Sequence, residues 1–477
     1  MNERLPRYKI FDQEQLESLH EATMQVLQNT GLKIHGSEAL SILGEAGCTV
    51  HTGENIVKFP RHLVEEAISS APSRVFLAAK DPEHDLVVGE DKTCFTTYGT
   101  GVKIIDPATG MIRNTTKADL GNVTRVCDAL DEVDFCVPAV MPRDVPVQSA
   151  ELHQADAVLS NTSKHFAAGP AGRNDARALF EIAAAIVGGM NKLKERPIIS
   201  TITCPVSPLQ LHDCNTEVIL ESAKNGIPLI FINQPLAGGT APTTLAGTIV
   251  MINAEILGAI TLAQLVNKGT PVIYGSTSTM LDLRHVVSAL GSPELGLISS
   301  AVAELGYYYK IPTQVGGSLS DSKIIDAQTG HEKTITSMLP ALLQPDIIFG
   351  MGFIEMGLTF SFTQLLIDAE FIKMLKRTTR GITINQDTLA VDIIHQVGPG
   401  KDFLAQKHTR KHMKNEQSAV ELIDRNRRET WERLKHKDIA DRAHEKAAVL
   451  LETHRPLELD SEVKKLIAGK IADAENL

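Results

Sequence analysis

The chain has 477 residues, 43% of them hydrophobic, and a formal net charge of −11 at pH 7. It can therefore bury a large core, and its acidic balance argues against a nucleic-acid or anionic-membrane surface. The six cysteines (Cys48, Cys94, Cys127, Cys136, Cys204, Cys214) form no C-x-x-C pair, so neither a zinc ribbon nor a dithiol redox centre is indicated.

The first residues, MNERLPRYKIFDQEQ, are too polar for a signal peptide. Residues 12–30 place Leu16, Leu19, Met24, Val26 and Leu27 on one helical face, between Asp12 as N-cap and Gly31 as C-cap. Residues 37–46 and 60–70 read as two more helices. Between 74 and 106 the runs RVFLAA, HDLVVG, KTCFTTYG and GVKIID end in Gly, Asp or Pro and predict small antiparallel strands. Residues 1–114 are thus expected to form an α+β cap.

From residue 115 the pattern alternates. Strands are predicted at Asp134–Val140, Lys164–Gly169, Ile198–Cys204, Pro228–Asn233, Pro271–Gly275, Pro312–Gly317 and Asp346–Gly350, with an eighth at Gly381–Asn385. Helical patterns fill the gaps. Strands that are apolar throughout and joined by helices imply a parallel sheet covered on both faces. About eight such units predict an α/β fold, a (β/α)8 TIM barrel over residues 115–398. The long apolar stretch near Leu245 to Val266 carries Asn253, Glu255 and Gln264, which reads against a membrane span. A cytoplasmic protein is expected. Residues 399–477 read as a helical extension: one or two amphipathic helices in 416–453, packing on the barrel or on another subunit, and a last helix at 461–475.

The stretch DIIFGMGFIEMGLTFSFTQLLIDAEF (346–371) joins a strand to a helix across Gly350 and Gly352. It places Phe353, Glu355, Phe360 and Phe362 in between. Rings and a carboxylate after a barrel strand suit a cationic substrate; core packing of the rings and a solvated Glu355 are the alternative. Other strand ends supply mostly hydroxyls and amides, Ser207, Asn233, Gln234, Thr277 and Ser318, together with the thiol of Cys204 and the amine of Lys323. No nucleotide-phosphate motif, G-x-S-x-G elbow or H-E-x-x-H motif is present. His408 and His412 have i,i+4 spacing, but in the basic segment KHTRKHMK a solvated helix face is expected and no metal site. Lys323 is a Schiff-base candidate or a salt-bridged surface lysine. The predicted barrel mouth suits binding a small cation whose chemistry another reagent carries.

Five segments, FTTYGTGVKIIDPATGMIRNTTKADL (95–120), TCPVSPLQL (203–211), GIPLIFINQPLAGGTAP (226–242), GGSLSDSKIIDAQTGHEK (316–333) and GFIEMGLTFSFTQLLIDAEF (352–371), resemble the trimethylamine methyltransferase family over nearly the whole chain and in the same order. The resemblance implies a (β/α)8 barrel that demethylates a methylated amine. The methyl group passes to the cobalt(I) corrinoid of a separate corrinoid protein, with no cofactor held tightly by the chain itself. Founding members of that family carry pyrrolysine, whereas this chain uses standard residues only. That departure implies the branch acting on quaternary amines: glycine betaine first, with proline betaine, carnitine and γ-butyrobetaine as alternatives.

Within this frame Glu355 is the expected catalytic carboxylate. Tyr98, Phe353 and Phe360 are expected as the aromatic wall, and Gln234, Ser318 and the backbone near Gly101 as donors to a substrate carboxylate. A homo-oligomer is expected, and neither nucleic acid nor membrane as partner. The rival readings are a Schiff-base barrel lyase or aldolase using Lys323 and a non-catalytic betaine-binding protein.

Overall fold

The computed structural model describes residues 7–90, 92–99 and 101–476; residues 1–6 of the polar N-terminal stretch lie outside them. Its centre is a seven-stranded sheet. In chain order the strands are β1 (Cys94–Thr97), β2 (Phe166–Ala168), β3 (Ile199–Thr203), β4 (Leu229–Asn233), β5 (Val272–Ser276), β6 (Thr313–Gly316) and β7 (Ile347–Met351). Around the sheet they run β1-β7-β6-β5-β4-β3-β2, and every pairing is parallel.

The burial pattern explains the composition of these strands. All five residues of LIFIN, VIYGS and IIFGM are buried, so no polar alternation is needed, as in sheets covered on both faces. Helices follow the strands. They include Arg173–Val187, Asp213–Asn225, α1 (Leu245–Val266), Pro293–Tyr309, α2 (Ala327–Leu343) and α3 (Phe362–Thr379). Their starts follow local chemistry: Asp326 accepts from Thr329 N ahead of α2, and Ser361 from Gln364 N ahead of α3. Helix α1 is long and apolar enough to cross a membrane, but most of it is buried in the protein, as a core helix would be.

Two expectations about the strands are corrected. Gly381–Asn385 forms no strand; it leads into the short helix α4 (Gln386–Leu389). The strand β1, expected among the antiparallel strands of residues 1–114, instead pairs in parallel with β7. Its sequence CFTT looks like a half-exposed strand because two threonines interrupt it. All four residues are nevertheless buried, with Thr96 Oγ1 donating to Phe135 O at 2.7 Å.

The predicted strand Asp134–Val140 is irregular, yet it spans the two edges of the sheet. Asp134 N donates to Phe95 O at 2.8 Å on the β1 side. Cys136 N donates to His165 O, and Ala167 N to Cys136 O, each at 2.9 Å, on the β2 side. Asp134 Oδ2 accepts from Phe95 N at 2.8 Å, which pins the segment to β1. Gly350 makes the bend in β7: its φ is +149°, and a Cβ there would lie 1.7 Å from Gly317 O, so only glycine fits.

The N-terminal part also holds three strands that were not expected, Leu32–Ile34, Thr49–His51 and Ile56–Lys58, while antiparallel pairing recurs in the 74–114 region. Val75–Leu77 pairs antiparallel with Leu86–Val88, and Lys103–Ile105 with Ile112–Asn114. In the C-terminal part, 416–453 resolves into two helices, Arg428–Arg433 and Ile439–Thr453, and a last helix occupies Ser461–Glu475.

Candidate functional site

A cavity of about 640 Å³ opens at the carboxyl ends of the parallel strands. Thr97 of β1, Thr203 of β3, Asn233 of β4, Gln314 of β6 and Phe349 of β7 contribute to its wall, with Tyr98, Gln234, Thr277 and Cys204 from the loops that follow and Cys214 from the first turn of the helix Asp213–Asn225. No Asp, Glu, Lys, Arg or His lies among the described residues lining it. The wall is made of aromatic, amide, hydroxyl and thiol groups, the uncharged set that orients a ligand by dipoles and π faces.

Tyr98 is the aromatic centre of this wall. Its ring stacks on Phe349 at 5.6 Å with 3° between planes and meets the edge of Phe353 at 5.8 Å. Burial pushes the phenol up to about 12, against the smaller opposing pull of the Gln234 and Thr277 side chains. It therefore stays a neutral hydroxyl. Behind it the rings continue into the core: Phe353 to Phe360 at 5.4 Å and Phe360 to Phe362 at 5.3 Å.

The amides are held from behind. Glu255, fully buried in α1, accepts from Asn233 Nδ2 at 2.7 Å, Ser207 Oγ at 2.9 Å and Leu209 N at 2.8 Å. Desolvation raises its pKa, and these three donors oppose the rise. Asn233 Oδ1 and Gln314 Oε1 are both buried and without a hydrogen-bond partner. Two amide oxygens left so in a cavity wall favour a cation or a donor in the cavity. Cys204 adds an exposed thiol to the wall.

The expected site residues divide. Tyr98 and Gln234 line the cavity. Phe353 and Phe360 are fully buried and line none of it; they are the packing that backs Tyr98. Gly101 serves that packing too, since a Cβ on it would stand 2.4 Å from Phe353 Cε1. Ser318 sits at φ +52°, with its carbonyl accepting from Lys333 Nζ at 2.6 Å, outside the cavity wall.

Glu355 is also outside the wall. Its backbone takes φ +53°, its N donates to Ser322 O at 2.7 Å, and its carboxylate accepts from Thr359 Oγ1 at 2.6 Å. The tight turn after β7 aims this side chain at its own hairpin, which strand-end position alone does not reveal. Lys323 is exposed and donates to Asp321 O at 2.8 Å, whereas a Schiff-base lysine needs an enclosed apolar pocket.

Gln314, Phe349 and Glu255 were hidden inside predicted strands and a helix. A signal was present: each polar member interrupts an otherwise apolar run, PTQVGG and MINAEILGAI, and a buried polar group needs a reason.

The sequence model of the family described as Trimethylamine methyltransferase (MTTB) matches residues 1–475. The chain is 42% identical over 466 residues to the trimethylamine methyltransferase MttB of Desulfitobacterium hafniense (strain DSM 10664 / DCB-2), covering 98% of this chain and 94% of that one. It is 34% identical over 474 residues to the glycine betaine methyltransferase of Desulfitobacterium hafniense (strain Y51), covering 99% and 98%. Among solved structures, the Methanosarcina barkeri monomethylamine methyltransferase (MtmB) matches with a TM-score of 0.50 and 14% identity, over 92% of each chain. That last likeness is one of fold.

Proposed function

Because the chain belongs to the trimethylamine methyltransferase family, we propose that it removes a methyl group from a quaternary amine, glycine betaine foremost, and passes it to the cobalt(I) corrinoid of a separate corrinoid protein. The observation that carries the choice of amine is the lining of the cavity. A tertiary amine is mostly protonated at neutral pH, and its lone pair must be freed or its nitrogen activated before the methyl group leaves. Among the described residues, no carboxylate, imidazole or lysine lines the wall to take that proton. A quaternary nitrogen carries its charge already, and the amine departs neutral.

The acceptor is a second substrate, and its low-valent cobalt supplies the nucleophile. The chain's own work is to bind and orient. The Tyr98 ring attracts the ammonium by roughly 0.5–2 kcal/mol, with Phe349 stacked behind it. Asn233 Oδ1 and Gln314 Oε1 add the negative ends of two amide dipoles. Holding the methyl group in a near-attack geometry removes much of the entropic barrier. The wall is uncharged, which suits a reaction that consumes the substrate's positive charge, because a full counter-ion would favour the ground state. A betaine carboxylate would take donors such as the Gln234 amide and the Thr277 hydroxyl.

On this reading residues 134–136 act as an eighth stave that closes the seven strands into a (β/α)8 barrel. The helices after residue 399 brace that barrel. A cytoplasmic homo-oligomer completes the reading.

A relative at 34% identity is named glycine betaine methyltransferase, while relatives at higher identity are named for trimethylamine. Substrate choice therefore has to be measured. Reduced cob(I)alamin is mixed with the protein and, singly, glycine betaine, proline betaine, carnitine, γ-butyrobetaine and trimethylamine. Loss of the cobalt(I) band with one quaternary amine and none with trimethylamine is the expected outcome. Turnover of trimethylamine alone overturns the choice of amine.

A further inference from the structure

The one three-ligand cluster of metal-binding side chains among the described residues lies outside the cavity, in the segment after α3. His408 and His412 share one face of α5 (Lys407–Glu416), with ring centroids 4.3 Å apart. Asp387 of α4 faces them across a stretch that includes the helix Val391–Val397. One donor atom from each of the three residues lies within 4.8 Å of the other two. Ligands around a zinc-type ion, at bonds of about 2.0–2.2 Å, stand roughly 3.5 Å apart, so small side-chain rotations complete the set.

A second observation points the same way. His412 Nε2 is buried and makes no hydrogen bond, though it stands 3.1 Å from Asp387 Oδ2. His408 Nε2 lies 3.0 Å from the Asp387 carbonyl oxygen. Both imidazoles are thus gathered around one aspartate. Opposing this, Lys411 Nζ holds Asp387 Oδ2 at 2.6 Å, and that contact keeps the carboxylate below its usual range.

We propose that Asp387, His408 and His412 form a site for a divalent transition metal of the zinc type, with the Lys411 ammonium competing with the ion for the carboxylate. The sequence showed the i,i+4 histidines but not the third ligand, which comes from α4, separated from α5 by the helix Val391–Val397. Two imidazoles and one carboxylate favour Zn²⁺ or Co²⁺ over Mg²⁺ or Ca²⁺. The ion would clip α4 to α5 and close the chain between them, as a local staple.

The test uses the full chain, stripped with a chelator and titrated with Co²⁺, whose visible absorption reports its coordination. One equivalent is expected to bind with an imidazole-type spectrum. His412→Ala and Asp387→Asn should each weaken uptake at least about tenfold, in line with what lost metal contacts cost, and a C204S/C214S variant should bind as the parent does. Lys411→Met should bind more tightly, because the competing cation is gone. Uptake that ignores His412→Ala and Asp387→Asn, or that moves with the cysteine pair, overturns the site. So does failure of both the parent and Lys411→Met to bind Co²⁺.

Discussion

Asn233, the last residue of β4, donates from Nδ2 to Oε2 of Glu255 at 2.7 Å, so a carboxylate on α1 orients an amide in the cavity wall. The nitrogen has to face Glu255, since the oxygen would meet an acceptor. Asn233 Oδ1 is therefore turned away and left without a partner. The pair transmits negative potential to an uncharged cavity without placing a carboxylate in it.

A bound cation favours the ionised form of Glu255, and by linkage ionised Glu255 favours the cation. Desolvation sets the Glu255 pKa above the ordinary carboxylate value. Quaternary-amine affinity should thus fall as pH drops through that raised pKa, and Glu255→Gln should remove this pH dependence while keeping the fold. Equilibrium binding of glycine betaine against pH, parent beside variant, checks it. An unchanged pH profile in Glu255→Gln removes Glu255 from the site.

The Tyr98 series separates ring from hydroxyl. Tyr98→Phe keeps the face stacked on Phe349 and should bind a quaternary amine nearly as well as the parent. Tyr98→Leu removes the π face and should weaken binding by about 2- to 30-fold, the equivalent of roughly 0.5–2 kcal/mol. Equal losses in both variants would mean that the phenol, through Gln234 or Thr277, matters more than the ring.

Much of the fold was legible because periodicity survives burial: all seven sheet strands were predicted within a few residues, although β1 was assigned to the antiparallel N-terminal part and not to the parallel sheet. The two misplacements run in opposite directions. In CFTT, Thr96 satisfies its hydroxyl on Phe135 O, so a buried strand passes for a half-exposed one. In GITIN the reverse holds, and Ile382 and Ile384 are largely exposed. The site was less legible. Position after a strand identified Tyr98 and Gln234, but a backbone turn at φ +53° decides where Glu355 points, and no side-chain pattern announces it. Gln314 and Glu255 act from inside buried elements, where a sequence reading expects packing.

Below the turn after β7, Lys333 and Asp368 form an ion pair with Nζ–Oδ2 at 2.8 Å, both side chains fully buried. Asp368 also accepts from Gly352 N at 2.8 Å and Gln364 Nε2 at 2.7 Å. Removing one partner leaves a buried charge alone, at a cost of roughly 3–5 kcal/mol. Lys333→Met should therefore unfold at clearly lower denaturant than the parent, and a Lys333→Met, Asp368→Leu double variant should recover part of the loss. A double variant as unstable as the sum of the two singles would show that the pair has no such coupling.

Acid stability should follow His165. Its ring is fully buried between β2 and β3, with Nδ1 2.8 Å from Ala78 O and Nε2 2.9 Å from Ser200 Oγ. Burial lowers its pKa to about 4, against contributions from the Ala78 and Pro197 carbonyls that raise it. In the unfolded chain an imidazole takes its proton near pH 6.5, so between about 6.5 and 4 the unfolded state binds a proton that the folded state refuses. Stability is then full above about 6.5 and falls as pH drops toward 4. The gap corresponds to roughly 3 kcal/mol. His165→Gln keeps a donor and an acceptor but has no proton to bind, so its stability should vary less over that window. Urea midpoints for both proteins from pH 7.5 to 4.5 measure the difference; parallel curves would show that other groups govern the acid limb.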